Sequence, residues 1–425
     1  MKTAAVVLAL GAMLTVEQRD AHRSSHDRRS SAVSADGRFV AFTTYSQLVA
    51  ADEDHSSDVY VLDRTTQQVT LESPDTAEYQ GDSSHPGISG DGRFIIFERS
   101  NAVVLHDRTM DVTTILGEGL QPFITENGRV AIFTAAGFDR VAGADLNGEY
   151  RDIYSVDLAG GQAHRVSVGM QGLDAQMASS MEPSASSDGR YVAFSSRRQP
   201  HGGRGDSPFV FVRDTALQIT RLIGAGWSPS LSGDGRFIAF VAMSGRVPHI
   251  FVADLDTGAS RIITKSVRRG LANGNSARPV MSSNGRFVAF QSEASDLVAV
   301  EDFNLLWDVF VLDRSTNAIT RLSGDREEAW MEPSSGPSID ATGSVVAFSS
   351  RHPTDASDKR NDFDLYIATI HTSTVAPVAL QKTKRSEDSS VQIGIRRDWC
   401  PGVLLMFDLP ISDLLTFGSF DLLSY

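Results

Sequence analysis

Short apolar strands alternate with polar turns along most of the chain, and one turn sequence recurs seven times. The recurring unit is Ser-x-Asp-Gly-Arg-Phe-x-Ala-Phe or a near copy, and an apolar strand follows the turn each time. A repeat of about 40 to 50 residues that holds several short strands is typical of a β-propeller. The turn glycines, 36 to 61 residues apart, are Gly37, Gly92, Gly128, Gly189, Gly235, Gly285 and Gly343.

The sixth repeat shows how one unit is expected to fold. Its Asn284-Gly285 turn suits a tight hairpin, because glycine accepts a positive φ and the asparagine side chain caps its own turn. The apolar stretches around it predict four strands, at residues 279–282, 286–290, 308–313 and 318–322. The pattern therefore predicts an all-β fold, a seven-bladed β-propeller of four-stranded antiparallel blades.

A proline opens the first strand of six repeats, where its missing N–H does the least harm. These prolines are Pro86, Pro122, Pro183, Pro229, Pro279 and Pro337. The first blade reads as complete from residue 32 to 72, and the last from 337 to 380 with a fourth strand at 375–380. We therefore expect a ring that is closed without a strand borrowed from the opposite terminus.

The repeat resembles that of TolB-like propellers, a family of WD40-like (PD40) repeats built around Ser-x-Asp-Gly-x-x-hydrophobic-Ala-Phe, and the resemblance covers residues 31 to 380. It implies a propeller such as periplasmic TolB, which binds partner proteins and has no catalytic site. Related blades also form the propeller half of prolyl-oligopeptidase-type enzymes and the whole body of some oligogalacturonide lyases. The resemblance thus implies a fold and leaves both binding and enzymatic functions open.

Composition and charge narrow the classes of partner. The net charge of −14 and the pI of about 5.2 argue against nucleic acid and anionic membranes, because binding to those draws on clustered Lys and Arg. A charged start followed by an apolar run at residues 4–16 reads as a signal peptide, so we expect an exported protein, periplasmic or extracellular. The single cysteine, Cys400, allows no internal disulfide.

The chain accordingly divides into a leader at 1–23, the propeller at 24–380 and an unassigned tail at 381–425. Charged residues and a proline interrupt the apolar part of the tail, so no membrane span is expected there. We expect a monomer.

Loop lengths indicate which face of the propeller binds. The loops between strands one and two, and between three and four, are short in every repeat and define the turn face. The loops between strands two and three, and between blades, vary in length and define the long-loop face, where binding usually resides. A protein or peptide is the expected partner, and a saccharide is the alternative. Candidate contact residues in or beside these loops are His55, His201, Trp307, Trp330 and His352.

Acidic residues cluster before several third strands, with spacings such as Asp-x-Asn. Carboxylate and amide oxygens are the ligands that calcium prefers, although the full pattern of an EF-hand is missing. The alternative is that they are solvated Asx turns leading into strands. The candidate calcium ligands are Asp52, Asp54, Asp58, Asp145, Asn147, Asp152, Asp302, Asn304 and Asp308.

An arginine follows the turn glycine in six repeats, and an aspartate ends the third strand of the same six. Repeat seven has Ser344 and Thr369 in these positions, so both charges are missing together. This predicts a structural ion pair within each blade. The six pairs are Arg38–Asp63, Arg93–Asp107, Arg129–Asp157, Arg190–Asp214, Arg236–Asp254 and Arg286–Asp313.

Two sequence signatures of catalysis are missing, since the chain has no Gly-x-Ser-x-Gly motif and no His-x-His spacing. We therefore expect an exported, non-catalytic binding scaffold that acts through its long-loop face. The alternative is a metal-assisted polysaccharide lyase or hydrolase with its site at the axial mouth of the propeller. That function would require His, Asp and Arg side chains to converge around the axis.

Overall fold

The structure is a computed structural model. It describes residues 31–53, 55–74, 80–138, 141, 148–168, 178–198, 207–299, 305–323, 333–351 and 364–370. For 4–7, 12–19, 371–372, 390–392 and 408–410 it describes the backbone as strand. Two compact units result, Met1–Ser373 and Thr374–Tyr425.

All regular structure in the described residues is β-strand. Two strands precede the repeats, β1 (Ala4–Val7) and β2 (Ala12–Arg19). Blade one contains β3 (Ser31–Val33), β4 (Phe39–Thr44), β5 (Asp58–Asp63) and β6 (Gln68–Leu71). Blade two contains β7 (Ser83–Ile88), β8 (Phe94–Arg99), β9 (Ala102–Asp107) and β10 (Val112–Glu118). Blade three contains β11 (Leu120–Ile124), β12 (Val130–Ala135), β13 (Asp152–Asp157) and β14 (Ala163–Arg165).

The later repeats have the same order of strands. Blade four contains β15 (Ser180–Ala185), β16 (Tyr191–Ser196), β17 (Phe209–Asp214) and β18 (Ile219–Ala225). Blade five contains β19 (Trp227–Leu231), β20 (Phe237–Ser244), β21 (Val247–Asp254) and β22 (Ser260–Ile262). Blade six contains β23 (Ser276–Met281), β24 (Phe287–Ser292), β25 (Asp308–Asp313) and β26 (Ala318–Arg321). Blade seven contains β27 (Ser334–Ile339), β28 (Val345–Ser350) and β29 (Asp364–Thr372). The second unit contains β30 (Ser390–Gln392) and β31 (Asp408–Pro410).

Neighbouring strands within each blade pair antiparallel, and the blades follow one another around a ring in chain order. The predicted seven-bladed propeller of four-stranded blades is therefore confirmed. The part of the chain that the structure describes contains no helix long and apolar enough to cross a membrane.

The closure of the ring differs from the prediction. Strand β2, near the N-terminus, pairs with β29 over eight residues, from Ala12 opposite Thr372 to Arg19 opposite Leu365. β2 is thus the fourth strand of blade seven, and β1 adds a fifth beyond it. The expectation of closure without a borrowed strand is wrong, and the predicted fourth strand at 375–380 lies outside the described residues.

The reason lies at the end of the third strand. In blade one the Asp63 carboxylate accepts hydrogen bonds from the backbone N–H groups of Thr65 and Thr66, at 2.9 and 3.4 Å, and so caps the hairpin to the fourth strand. The aspartates that end third strands two to six cap their hairpins in the same way. Blade seven has Thr369 in this position, and β29 instead continues to Thr372. The strand that pairs with its outer edge, β2, comes from the other terminus.

The repeated turn also holds adjacent blades together. Gly92 has a φ of 74°, and a Cβ on it would lie 2.3 Å from the Phe39 ring of the preceding blade. The guanidinium carbon of Arg38 lies 4.6 Å from the centroid of that ring, and that of Arg108 lies at 5.0 Å. The Asp-Gly-Arg-Phe repeat therefore places glycine, arginine and aromatic side chains at one contact between two blades.

A circle of backbone hydrogen bonds joins all seven blades near the axis on the turn face. Each bond runs from an N–H at one turn to a carbonyl oxygen at the next turn. The circle includes the interface between blades seven and one, which we call the seam. Its donors and acceptors are Ala35 to Gly90, Gly90 to Glu126, Asn127 to Ser187, Ser187 to Gly233, Gly233 to Ser283, Asn284 to Ala341 and Ala341 to Ala35.

Candidate functional site

The first strands of all seven blades surround an axial cavity of about 270 Å³. In six blades the repeated proline lies inside the first strand, two or three residues after its start, and the residue before it has a left-handed backbone, with φ between 49° and 66°. The strand register shifts at the same point, which marks a β-bulge. For any residue that carries a side chain, a left-handed backbone is unfavourable by about 1–3 kcal/mol. Residues strained in this way cluster at functional sites.

Five of these bulge residues carry polar side chains and line the cavity. Each first strand runs from the long-loop face to the turn face, so its opening residues surround the end of the cavity toward the long loops. We call this set the mouth ring. It consists of His85, Gln121, Glu182, Ser228 and Arg278, and Gly336 holds the same position in blade seven.

Side chains near the mouth fix the bulges of the following blades. The Gln121 side-chain oxygen accepts a hydrogen bond from the backbone N–H of Glu182 at 2.9 Å. The Glu182 carboxylate in turn accepts hydrogen bonds from the backbone N–H and the hydroxyl of Ser228, at 2.8 and 2.9 Å. Glu98 accepts one from the backbone N–H of Gln121. Three members of the mouth ring, Gln121, Glu182 and Ser228, therefore form a connected polar network with Glu98, which holds them in defined orientations.

Charges of both signs line the mouth. Nδ1 of His85 lies 3.1 Å from the Glu98 carboxylate, and both side chains are largely buried. Arg278 brings the permanent positive charge of the mouth ring, and Glu182 brings a carboxylate. The mouth ring thus contains a permanent cation and several hydrogen-bonding groups.

The turn-face end of the cavity is crossed by one side chain. The Glu126 carboxylate of blade three accepts hydrogen bonds from the hydroxyls of Ser187 and Ser283, each at 2.5 Å. Ser283 belongs to blade six, so this side chain spans the axis. Glu126 and the circle of backbone hydrogen bonds thus occupy the turn-face end of the cavity. The side chains that vary from blade to blade lie at the opposite end, toward the long loops.

The predicted contact residues of the long-loop face lie only partly within the described residues. His55 is exposed, Trp307 is half-buried, and the backbone oxygen of Trp307 accepts a hydrogen bond from Ser334 N–H at 2.6 Å. His201, Trp330 and His352 lie outside the described residues. Neither His55 nor Trp307 lines the axial cavity, where the structure places the mouth ring instead.

Four of the candidate calcium ligands are buried and bonded to protein groups, and three of them share one arrangement. The Asp152 carboxylate accepts hydrogen bonds from Arg198 and from the Ser167 hydroxyl, at 2.8 and 2.6 Å. Asp58 and Asp308 repeat this arrangement, accepting from Ser73 at 2.7 Å and from Ser323 at 2.6 Å, with Arg99 and Arg321 each 3.5 Å away. These three aspartates therefore have structural contacts at the ends of their strands.

The other candidate ligands divide into two groups. Asp52 accepts a hydrogen bond from the Tyr60 hydroxyl, and burial together with this bond raises the pKa of Tyr60. The remainder lie outside the described residues, and they are Asp54, Asp145, Asn147, Asp302 and Asn304. Within the described ranges no group of three or more His, Cys, Asp or Glu residues could hold a metal ion. Calcium binding stays a prediction.

Five of the six expected arginine–aspartate pairs are within ion-pair distance. In each of them the guanidinium also lies over the aromatic ring that follows it, 4.5 to 5.0 Å from the ring centroid. The N–O distances are 2.7 Å for Arg38–Asp63, 2.6 Å for Arg93–Asp107, 3.0 Å for Arg190–Asp214, 3.0 Å for Arg236–Asp254 and 2.6 Å for Arg286–Asp313.

The sixth expected pair, Arg129 with Asp157, does not form an ion pair among the described residues. Blade three has Val130 where these five blades have Phe or Tyr, so the guanidinium lacks the ring that it stacks on elsewhere. Hydrogen bonds from the backbone N–H groups of Ala159 and Gly160 lower the pKa of Asp157, and the charge of Arg129 contributes less.

The comparisons with solved structures support the same fold. An oligogalacturonate lyase from Vibrio parahaemolyticus is similar with a TM-score of 0.56 at 14% identity, over 87% of this chain and 96% of that one. The β-propeller domain of the Trilobed protease from Pyrococcus furiosus is similar with a TM-score of 0.55 at 11% identity, over 81% and 95%. TolB from Acinetobacter baumannii follows with a TM-score of 0.44 at 18% identity, over 72% and 67%.

The first two similarities show the propeller fold. TolB, whose repeat this chain resembles, is also among the similar structures. No protein-family model and no curated protein matches the sequence.

Loop lengths do not reveal the mouth ring, because its members lie in the first strands of their blades and not in the long loops. A signal for it was present, since every member directly precedes a proline that the repeat places at one fixed position. Aligning the repeats at that proline identifies His85, Gln121, Glu182, Ser228 and Arg278 at once.

Proposed function

We propose that the chain is an exported binding scaffold that takes a polar, extended segment of a partner protein into the axial cavity from the long-loop face. The mouth ring carries this proposal. Positions that hold the fold repeat one residue type from blade to blade, as the turn glycine does. The mouth position keeps its strained geometry but holds a different polar side chain in each of five blades. Shared geometry with varied chemistry favours ligand recognition over a structural role.

The size and charge of the cavity limit the ligand. A volume of about 270 Å³ suits a peptide terminus or a few side chains rather than a folded domain. Arg278 favours a carboxylate in the ligand, because a guanidinium binds a carboxylate through two parallel hydrogen bonds. An acidic side chain or a C-terminal carboxylate of the partner is therefore the expected contact at the ring.

A peptide selection tests this function. A random peptide display library is selected on the immobilised protein, and the selected peptides are measured by calorimetry. Arg278→Gln is expected to weaken them at least tenfold, which corresponds to about 1.4 kcal/mol. The matched control is Arg268→Gln, an exposed arginine in a loop between blades. Peptides that bind both variants as tightly as the wild type would contradict an axial site.

A metal-assisted polysaccharide lyase is the second candidate function. The observation that favours it is that Arg278 and His85 line the same cavity, with Glu98 3.1 Å from His85, since the reaction needs a cation and a base. In such a reaction a base removes the proton beside the uronate carboxylate, and the glycosidic bond breaks as a double bond forms. The test is the ultraviolet absorbance of the unsaturated product from oligogalacturonate, with and without Mn²⁺. His85→Ala should abolish that absorbance change.

A further inference from the structure

The outer edge of blade seven is built differently from the other six. Its third strand, β29, has nine residues and lacks the aspartate that caps a hairpin to a fourth strand. The inner part of β29 is fixed within the ring, since Ile367 and Leu365 pack against blade one and Tyr366 and Ala368 against blade six. A long strand is therefore held in place while its outer edge depends on a segment from elsewhere.

The segment that fills this edge is the same one that reads as an export leader. β2 covers residues 12–19, and the predicted leader covers 1–23. Processing of such a leader would remove β2 and leave the N–H and C=O groups of β29 without a neighbouring strand. An exposed edge of this kind pairs readily with an extended segment of another chain.

We propose that the outer edge of β29 is a strand-binding site for an extended segment of a partner protein, and that β2 occupies this site in the full chain. Binding of a partner at this edge rests on the proposed export, because processing of the leader is what would remove β2. The strand-binding site itself does not depend on the axial cavity. The register defines the segment that fits: about eight residues, antiparallel to β29 and free of proline. Backbone hydrogen bonds supply most of the recognition, so the sequence requirement is loose.

The decisive experiment exchanges the strand in the full chain. A specific protease site replaces residues 22–27, between β2 and the first repeat, and the purified protein is cut there. Three fluorescent peptides are then added: residues 10–21, the same peptide with Thr15→Pro and Val16→Pro, and an unrelated alternating Val-Thr peptide of equal length. Two adjacent prolines are used because at least one of the two residues must donate its N–H to β29. Fluorescence anisotropy measures binding.

We expect the native peptide to bind the cut protein saturably. The affinity of the Val-Thr peptide should be within tenfold of the affinity of the native peptide. The double-proline peptide should bind at least tenfold more weakly. Uncut protein should take up none of them, because a tethered strand competes at millimolar effective concentration. Failure of the native peptide to bind folded, cut protein would overturn the site, and binding of the native peptide alone would overturn the role of a partner.

A second variant covers the case in which the cut chain loses its fold. The full, uncut chain carrying Thr15→Pro and Val16→Pro should accept the native peptide in place of its own strand. If that variant is unfolded by circular dichroism, the added peptide should restore its strand signal, and failure to restore it also overturns the proposal. Export is measured separately, by the N-terminal mass of the secreted protein, so a retained leader counts against the proposed export and not against the site.

Discussion

The guanidinium of Arg64 donates a hydrogen bond of 2.9 Å to the hydroxyl of Thr369, which joins blade one to blade seven across the seam. A second hydrogen bond of 2.9 Å runs from the same guanidinium to the backbone oxygen of Gly37. Blade seven is thus tied to blade one through the side chain of Arg64 at its third strand, and through the circle of backbone bonds at its turn. Thr369 stands where the other six blades have the aspartate that caps the hairpin, and it is the residue that accepts the hydrogen bond from Arg64.

Replacing Thr369 by valine should destabilise the protein by about 1 kcal/mol, because the substitution removes one partly buried hydrogen bond and keeps the shape of the side chain. Urea unfolding measures the change. The control is Thr66→Val, an exposed threonine, which should leave the unfolding midpoint unchanged. Equal midpoints for both variants would contradict a role for this bond at the seam.

Two turn glycines with the same backbone allow the contact between blades to be measured. Gly92 and Gly258 have φ values of 74° and 73°, but a Cβ on Gly92 would meet the Phe39 ring, whereas one on Gly258 would meet nothing within 4 Å. Gly258→Ala should cost only the strain of a left-handed alanine, about 1–2 kcal/mol. Gly92→Ala should cost about 1–3 kcal/mol more from overpacking. Similar losses in thermal stability for both would show that the glycine serves the turn alone.

The blade count could be predicted because each blade needs the same turn chemistry. A positive-φ glycine, an Asx cap and a first-strand proline recur at fixed offsets, and these local requirements are visible in the sequence. The closure was predicted wrongly because it depends on a pairing between residues 12–19 and 364–372, which no local pattern specifies. A signal was still available, since Thr369 replaces the aspartate that caps every other hairpin of this kind.

The candidate site was harder to predict for a physical reason. Acidic loop residues such as Asp152 read as metal ligands, because sequence alone does not show that Arg198, 46 residues away, lies 2.8 Å from that carboxylate. The mouth ring depends on a backbone strain that only the fold reveals. The repeated proline relates its members to one another in the sequence, but only the fold shows that they surround one axis.

The buried pair of Asp152 and Arg198 should respond asymmetrically to substitution. Both side chains are 1% exposed, so Arg198→Met leaves a buried carboxylate with less compensation and should destabilise the protein by about 3–5 kcal/mol. Adding Asp152→Asn removes that charge and should recover part of the loss. Urea unfolding of the single and double variants measures this. A double variant less stable than Arg198→Met would argue against charge burial as the cause.

The Arg286–Asp313 pair makes stability depend on pH at the acidic end. Burial alone would raise the pKa of Asp313, but hydrogen bonds from Arg286 and Ser315 outweigh it and lower the pKa from 3.8 to about 2. A lowered pKa in the folded state means that the stabilisation is complete above about pH 4 and is lost as the pH falls toward 2. Solvent screening at Arg286, which is 43% exposed, keeps the effect below about 1 kcal/mol. The Asp313→Asn variant should therefore have a lower free energy of unfolding than the wild type at pH 6 and a similar one near pH 2. Urea unfolding at the two pH values measures the difference.

The predicted calcium sites can be separated from the buried strand-end contacts by comparing two aspartates of one loop. Asp308 accepts a hydrogen bond from Ser323 at 2.6 Å, so Asp308→Ala should lower the melting temperature equally in calcium and in EGTA. If the loop binds calcium, the metal stabilises wild type by about 2.7 kcal/mol at a concentration one hundred times Kd. Asp302→Ala should remove that difference without lowering stability in EGTA. Identical melting of the wild type in calcium and EGTA would exclude the calcium site and leave these acidic residues as turns and strand-end contacts.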